Sequence, residues 1–160
     1  MFVGQLEKHK GIQWLIDFWR RNNIVHELFV VGGGSPELTN LPTNVKLLGK
    51  KIGQELNTIF TQIDFLIMPS LCYENSPTVI PLAYQNATPV IVANIGGAGE
   101  LVKQNETGYL FESGDNDSLM EALKQVDSLG DEEYKRMSEN CLAAVKDFPL
   151  QKYVDKLLLP

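Results

Sequence analysis

The sequence predicts an open α/β fold: a parallel sheet of about six strands, helices on both faces, and a helical tail at the carboxyl end. Three observations predict it. Short apolar runs bounded by Gly, Pro, Asn or Asp recur as far as residue 111, as strands buried on both faces require. Amphipathic stretches at helical spacing separate these runs, and strands joined by crossover helices lie parallel. Residues 69–100 hold two polar, glycine- or Asx-rich turns, each following a strand and opening a helix, so both face one crevice at the strands' carboxyl edge.

The first strand is expected at 1–4 (MFVG), followed by a helix at 10–22 in which Ile12, Leu15, Ile16 and Trp19 share one face. Strands follow at 26–32 (HELFVVG) and 45–49 (VKLLG), then a helix at 53–61 and a strand at 64–69 (DFLIMP). A helix at 77–87 is capped by Ser76, with Pro77 at its first position. Pro81 opposes that helix: it lacks an N–H and crowds the Pro77 carbonyl, which predicts a kink near the first turn. Next come a strand at 89–93, the Gly96-Gly97 turn, a helix at 98–104 and a strand at 108–111. Beyond residue 113 the pattern becomes all-helical. Asp115 or Asn116 caps one helix, Asp131 starts a second, and Pro149 separates it from a last segment, QKYVDKLLL.

A length of 160 residues predicts one domain. The net charge of −6, with no basic stripe, argues against nucleic acid as main partner and gives no electrostatic support for membrane docking by this segment; membrane association of a longer protein stays open. No apolar run nears the ~20 residues of a membrane span. Cys72 and Cys141 lack metal-ligand spacing and read as free thiols, and MFVGQLEKHKG is not a signal peptide, so a cytoplasmic protein is expected. His9 and His26 are expected in surface or strand-entry roles and not as metal ligands or general bases. Gly32-Gly33-Gly34 lacks the third glycine of a dinucleotide fingerprint. A receiver-type signalling domain needs an acidic cluster at strand ends, whereas Asp64 stands at a strand's start.

The crevice suits an anionic ligand, because helix amino ends present N–H groups and a positive dipole. Proline cannot donate, so Ser76, Thr78 and Val79 are the candidate amides at one turn. Gly96 and Gly97 would let backbone approach the ligand at the other. Glu74 precedes the first turn, and Glu100 reads as a dipole-stabilising residue.

The ordered set of motifs resembles the carboxyl-terminal domain of family 4 retaining glycosyltransferases. It comprises Phe2-Val3-Gly4-Gln5-Leu6 with Lys10-Gly11, the Phe29–Gly34 strand-turn, Asn44–Gly49, and a region holding Pro69-Ser70, Glu74, Ala83, Pro89-Val90-Ile91, Gly96-Gly97 and Glu100. The resemblance implies one Rossmann-like half of a GT-B fold, the half that binds a nucleotide-diphosphate sugar without a metal or other cofactor. It implies that residues 1–160 are the donor domain, that the acceptor-side amino-terminal domain is absent, and that the whole enzyme transfers a hexosyl group with retention in surface-glycan synthesis. By the same match Lys10 and Glu74 are the catalytic candidates, with Gly4, Gln5, Ser76, Thr78, Val79, Gly96 and Gly97 lining the donor site. Two residues depart from the family pattern. Gln5 stands where an arginine is usual, and Leu82 stands where a second glutamate grips the ribose. These departures leave a degenerate, non-catalytic binding or subunit-interaction domain as the alternative.

Overall fold

The computed structural model describes residues 1–34, 38–75 and 77–146. Its elements are β1 Phe2–Val3, α1 Ile12–Arg21, β2 Leu28–Val31, β3 Val45–Gly49, α2 Gly53–Phe60, β4 Leu66–Met68, α3 Val79–Gln85, β5 Val90–Ala93, β6 Gly108–Phe111, α4 Asn116–Asp127 and α5 Asp131–Val145. Single 3₁₀ turns occur at Lys8–Lys10 and Gly99–Leu101.

All strand pairings are parallel. They form two three-stranded sheets, β1-β2-β3 and β4-β5-β6. The two are stitched together where β1 meets β4: the Ile67 amide donates to the Met1 carbonyl, and the Met1 amino group donates to the Phe65 carbonyl, each at 2.7 Å. The spatial order is therefore 3-2-1-4-5-6. The chain winds outward from β1 to β3, returns to β4 and winds the other way, which opens a crevice between the carboxyl ends of β1 and β4.

The central strands alternate between two cores. Ile67, Ile91 and Ala93 pack with Leu15, Ile16 and Trp19 of α1 and with Leu119 and Leu123 of α4. Leu66, Met68, Val90 and Val92 pack on the other face with Leu56 and Phe60 of α2, Ile80 and Tyr84 of α3, and Cys141 of α5. Every residue of β4 and β5 is buried, which is why these strands read as uninterrupted apolar runs. Each large side chain so buried contributes about 1.5–3 kcal/mol.

All six strands lie where the sequence places them: β3 and β6 have the expected bounds, and the other four are one to three residues shorter. Two helices differ. α3 begins at Val79 with Thr78 at the cap position, so Pro77 precedes the helix instead of opening it. Pro81 then falls at the third helical position, where its missing N–H has no partner to lose, and the Leu82 amide reaches the Thr78 carbonyl at 3.2 Å. The helix expected at 98–104 is only the 3₁₀ turn, because the chain turns extended at Val102 and the Tyr84 hydroxyl takes the Leu101 carbonyl at 3.1 Å. Downstream, the Asp115 carboxylate accepts from the Ser118 amide at 2.9 Å and caps α4, and three acids fill the first turn of α5. Ser76, Pro149 and the segment QKYVDKLLL lie outside the described residues. Among the described residues no helix is long and apolar enough to cross a membrane.

Candidate functional site

The site forms because two loops from different strands close on each other. After β1 the chain makes the Lys8–Lys10 turn and passes through Gly11, at φ 74°. A Cβ there would stand 1.9 Å from the carbonyl oxygen of Pro69 in the loop after β4, so only glycine lets the two loops touch. The Leu71 amide donates to the His9 carbonyl at 2.8 Å and locks the contact.

That contact brings together two charges 64 residues apart. Lys10 Nζ lies 2.5 Å from Glu74 Oε1, with the side chains 25% and 14% exposed. The Ser70 hydroxyl donates to the same carboxylate oxygen at 3.0 Å. Lys10 stands just before the amino end of α1, where the helix dipole disfavours a cation, and Glu74 offsets that field.

Glu74 is in turn propped from β5. It forms a parallel bridge with Gly96, and the Gly97 amide donates to the Glu74 carbonyl at 2.8 Å. Gly96 has φ 61°, and a Cβ there would lie 2.8 Å from the Glu74 backbone nitrogen and oxygen. The sequence reading set Gly96 and Gly97 against a ligand. In the structure both glycines lie against the Glu74–Asn75 backbone, and the Gly97 N–H has the Glu74 carbonyl as its acceptor. The helix expected to add a second positive end here is the single 3₁₀ turn, which carries little dipole.

A cavity of about 300 Å³ opens at the β1/β4 switch point. Gly4, Gln5 and Lys10 line it from the β1 side, Ser70 and Glu74 from β4, and Thr78 and Val79 from the start of α3. Six of the residues singled out from sequence thus share one cavity, Gly96 and Gly97 contact the Glu74 backbone without lining that cavity, and Ser76 lies outside the described residues. Leu82 packs against the core on the α3 side. Ser70 and Gly11 were missed as site residues. Ser70 was legible as a hydroxyl four positions before the glutamate, whereas the need for glycine at 11 depends on a carbonyl from another loop.

A second cavity, of about 320 Å³, lies at the opposite, amino edge of the sheet among Trp19, Phe29 and Phe65. The carboxyl edge is where parallel sheets present loops and helix amino ends to ligands, and it carries the part-buried Lys10–Glu74 pair, so the smaller of these two cavities is the candidate site. Among the described residues no group of three or more His, Cys, Asp or Glu is placed to hold a metal ion.

This fold and crevice define an open Rossmann-like α/β unit with a candidate site at its switch point, and comparison with known proteins gives the family. The family profile "Glycosyl transferases group 1" matches residues 1–127, and the chain belongs to that family. The UDP-Gal:alpha-D-GlcNAc-diphosphoundecaprenol alpha-1,3-galactosyltransferase of Escherichia coli is 33% identical over 148 residues, covering 85% of this chain and 37% of that protein. The D-inositol 3-phosphate glycosyltransferase of Corynebacterium aurimucosum is 28% identical over 143 residues, covering 78% of this chain and 34% of that protein. The chain thus spans less than half the length of these curated relatives. Among solved structures, Anabaena Alr3699/HepE in complex with UDP and glucose superposes with a TM-score of 0.83 at 22% identity, over 98% of this chain and 46% of that one. The C-terminal domain of LpcC, a glycosyl transferase group 1 family protein from Francisella tularensis, gives 0.74 at 17% identity, over 91% and 83%. The fold is the Rossmann-like half of a GT-B glycosyltransferase.

Proposed function

We propose that this chain is the donor-binding half of a retaining hexosyltransferase that takes a nucleoside-diphosphate sugar without a metal ion, in a reducing, cytoplasmic compartment. The observation that carries the reading is the Lys10–Glu74 pair in the switch-point cavity, a cation and a carboxylate joined only by tertiary structure. When a glycosyl bond to a diphosphate breaks, charge collects on the leaving phosphate, and a fixed ammonium there stabilises the transition state more than the ground state. Lys10 supplies that charge, with the amides at the start of α3 beside it. Glu74 cannot face phosphate oxygens without repulsion, so it accepts from sugar hydroxyls. The acceptor hydroxyl then attacks from the face the leaving group vacates and passes its proton toward the departing phosphate, which retains configuration.

The names of similar proteins support this donor class. The Escherichia coli relative is named for UDP-Gal and a diphosphoundecaprenol-linked acceptor, and Alr3699/HepE was solved with UDP and glucose. A lipid-linked glycan acceptor and a role in surface polysaccharide synthesis follow as part of the proposal, with a second Rossmann-like domain supplying the acceptor site. The test is calorimetric titration of this chain with UDP-glucose, UDP-galactose and GDP-mannose. Binding of one donor, weakened about tenfold or more by Lys10→Ala, supports the reading. No binding to any of them overturns it.

A binding module without catalysis is favoured by two residues. Gln5 puts a neutral amide in the cavity where a cation would strengthen diphosphate binding, and Leu82, packed against the core, offers no acceptor at the position where the family pattern has a ribose-gripping glutamate. Under that reading the chain joined to its amino-terminal half binds a nucleotide and yields no glycoside product.

A further inference from the structure

Ser70 is the side chain at the rim that the transfer chemistry above leaves unused. It is polar and 1% exposed. Its hydroxyl donates to Glu74 Oε1 at 3.0 Å, and its own carbonyl accepts the Ser113 hydroxyl at 2.8 Å from the loop after β6. A hydroxyl so buried has a single proton, and here the carboxylate receives it. Lys10 donates to the same oxygen. Oε1 is therefore held from two sides, while Oε2 has no partner among the described residues and remains the acceptor open to a ligand.

Carbon–carbon rotation in a glutamate side chain is otherwise free across three torsions, and an ammonium alone does not fix a carboxylate's plane, because Lys donates as a point charge. Two donors converging on one oxygen from different strands do fix it. We propose that Ser70 is a positioning residue: through Oε1 it orients Glu74 so that Oε2 meets the hydroxyls of the donor sugar, and Ser113 holds Ser70 in register. This rests on the donor-binding reading for its ligand. It adds a claim about which part of the donor the device serves. The diphosphate and base should be indifferent to Ser70, and the sugar should not be.

The discriminating variants are Ser70→Ala, which removes the proton, and Ser70→Thr, which keeps it. UDP and UDP-glucose are titrated into each, alongside thermal melts, and crystal structures of the unliganded wild type and Ser70→Ala are compared. The expected result is that Ser70→Ala weakens UDP-glucose about tenfold and leaves UDP within about twofold. Ser70→Thr recovers the sugar preference, and in the Ser70→Ala crystal the Glu74 carboxylate turns out of its wild-type plane. Equal losses for UDP and UDP-glucose, or no loss for either, overturn the proposal. If wild type binds neither ligand, the donor-binding reading is judged by the three-donor titration above, and the crystals still decide Ser70: an unmoved Glu74 carboxylate in Ser70→Ala rejects the positioning role.

Discussion

Two polar clusters tie distant parts of this chain together, and they differ in what surrounds them. At the rim, Lys10, Ser70 and Glu74 join the loops after β1 and β4 beside a cavity of about 300 Å³. In the core, the Tyr84 hydroxyl sits 2.8 Å from Thr107 Oγ1, which also accepts the Lys103 amide at 3.0 Å, and the Cys141 thiol donates to the Thr107 carbonyl at 3.5 Å. Both clusters use long-range hydrogen bonds, the rim cluster to fix loop against loop and the core cluster to fix a loop against α3 and α5. The core cluster has no ligand space and carries no formal charge. Burial holds its groups neutral: the Cys141 thiol is pushed up to about 12, and the Tyr84 hydroxyl is raised as well. The rim cluster keeps two charges and an open acceptor at the sheet's switch point. The same bonding vocabulary thus serves structure where water is excluded on all sides and ligand binding where one side stays open.

The largest effect expected comes from the contact that assembles the rim. Gly11→Ala must hold φ near 74° and place a Cβ 1.9 Å from the Pro69 oxygen, so the two loops have to part. Strain of this kind costs about 1–3 kcal/mol before any lost contacts are counted. Chemical denaturation should show a loss of about 3 kcal/mol or more, together with loss of donor binding. A variant with wild-type stability and binding would show that the loops do not meet as described.

The core cluster should yield next. Thr107→Val strands the Lys103 amide and removes the hydroxyl beside Tyr84, at a cost of about 1–3 kcal/mol. Its pH dependence has a defined sign. Below pH 9, the usual value for a thiol, Cys141 is protonated both folded and unfolded, and its contribution is complete. Between pH 9 and about 12 the unfolded chain releases the proton while the folded chain keeps it, so stability falls as pH rises. Tyr84 acts in the same direction. Urea midpoints at pH 8 and 10.5 should therefore separate more in wild type than in Cys141→Ala, and equal separations would contradict the buried thiol.

The strands were legible because each satisfies a local rule: a short apolar run with a turn residue at either end. The crevice was legible because alternating strands and helices dictate parallel topology, and parallel topology dictates which edge carries the loops. What escaped was set by tertiary partners. The 3₁₀ turn at Gly99–Leu101 reads as a helix until Tyr84 is known to hold the Leu101 carbonyl. That Gly96-Gly97 packs against the Glu74 backbone is likewise a tertiary pairing that no local pattern shows. Pro81 looked disruptive only because Pro77 looked like a helix start. Lys10 and Glu74 could be named separately, but that they pair follows from Gly11 meeting Pro69, a contact 58 residues apart that no local pattern encodes.

The smallest effect separates the clusters most cleanly. Lys10→Met removes one partner of a pair whose side chains are 25% and 14% exposed, so Coulomb attraction is part-screened and partial desolvation offsets much of it. The Ser70 hydroxyl and open solvent continue to serve the Glu74 carboxylate, which limits the penalty for leaving it without a cation. The expected loss is about 1 kcal/mol, below that of Thr107→Val. Salt distinguishes the two more sharply than magnitude does. Between about 0.05 and 1 M NaCl the Debye length shrinks from above 10 Å to about 3 Å, so the stability gap between wild type and Lys10→Met should narrow as salt rises. The gap between wild type and Thr107→Val involves no formal charge and should stay constant. A Lys10→Met gap that exceeds the Thr107→Val gap and ignores salt would mean that the rim pair is a sealed structural bridge, with no side left open for a ligand.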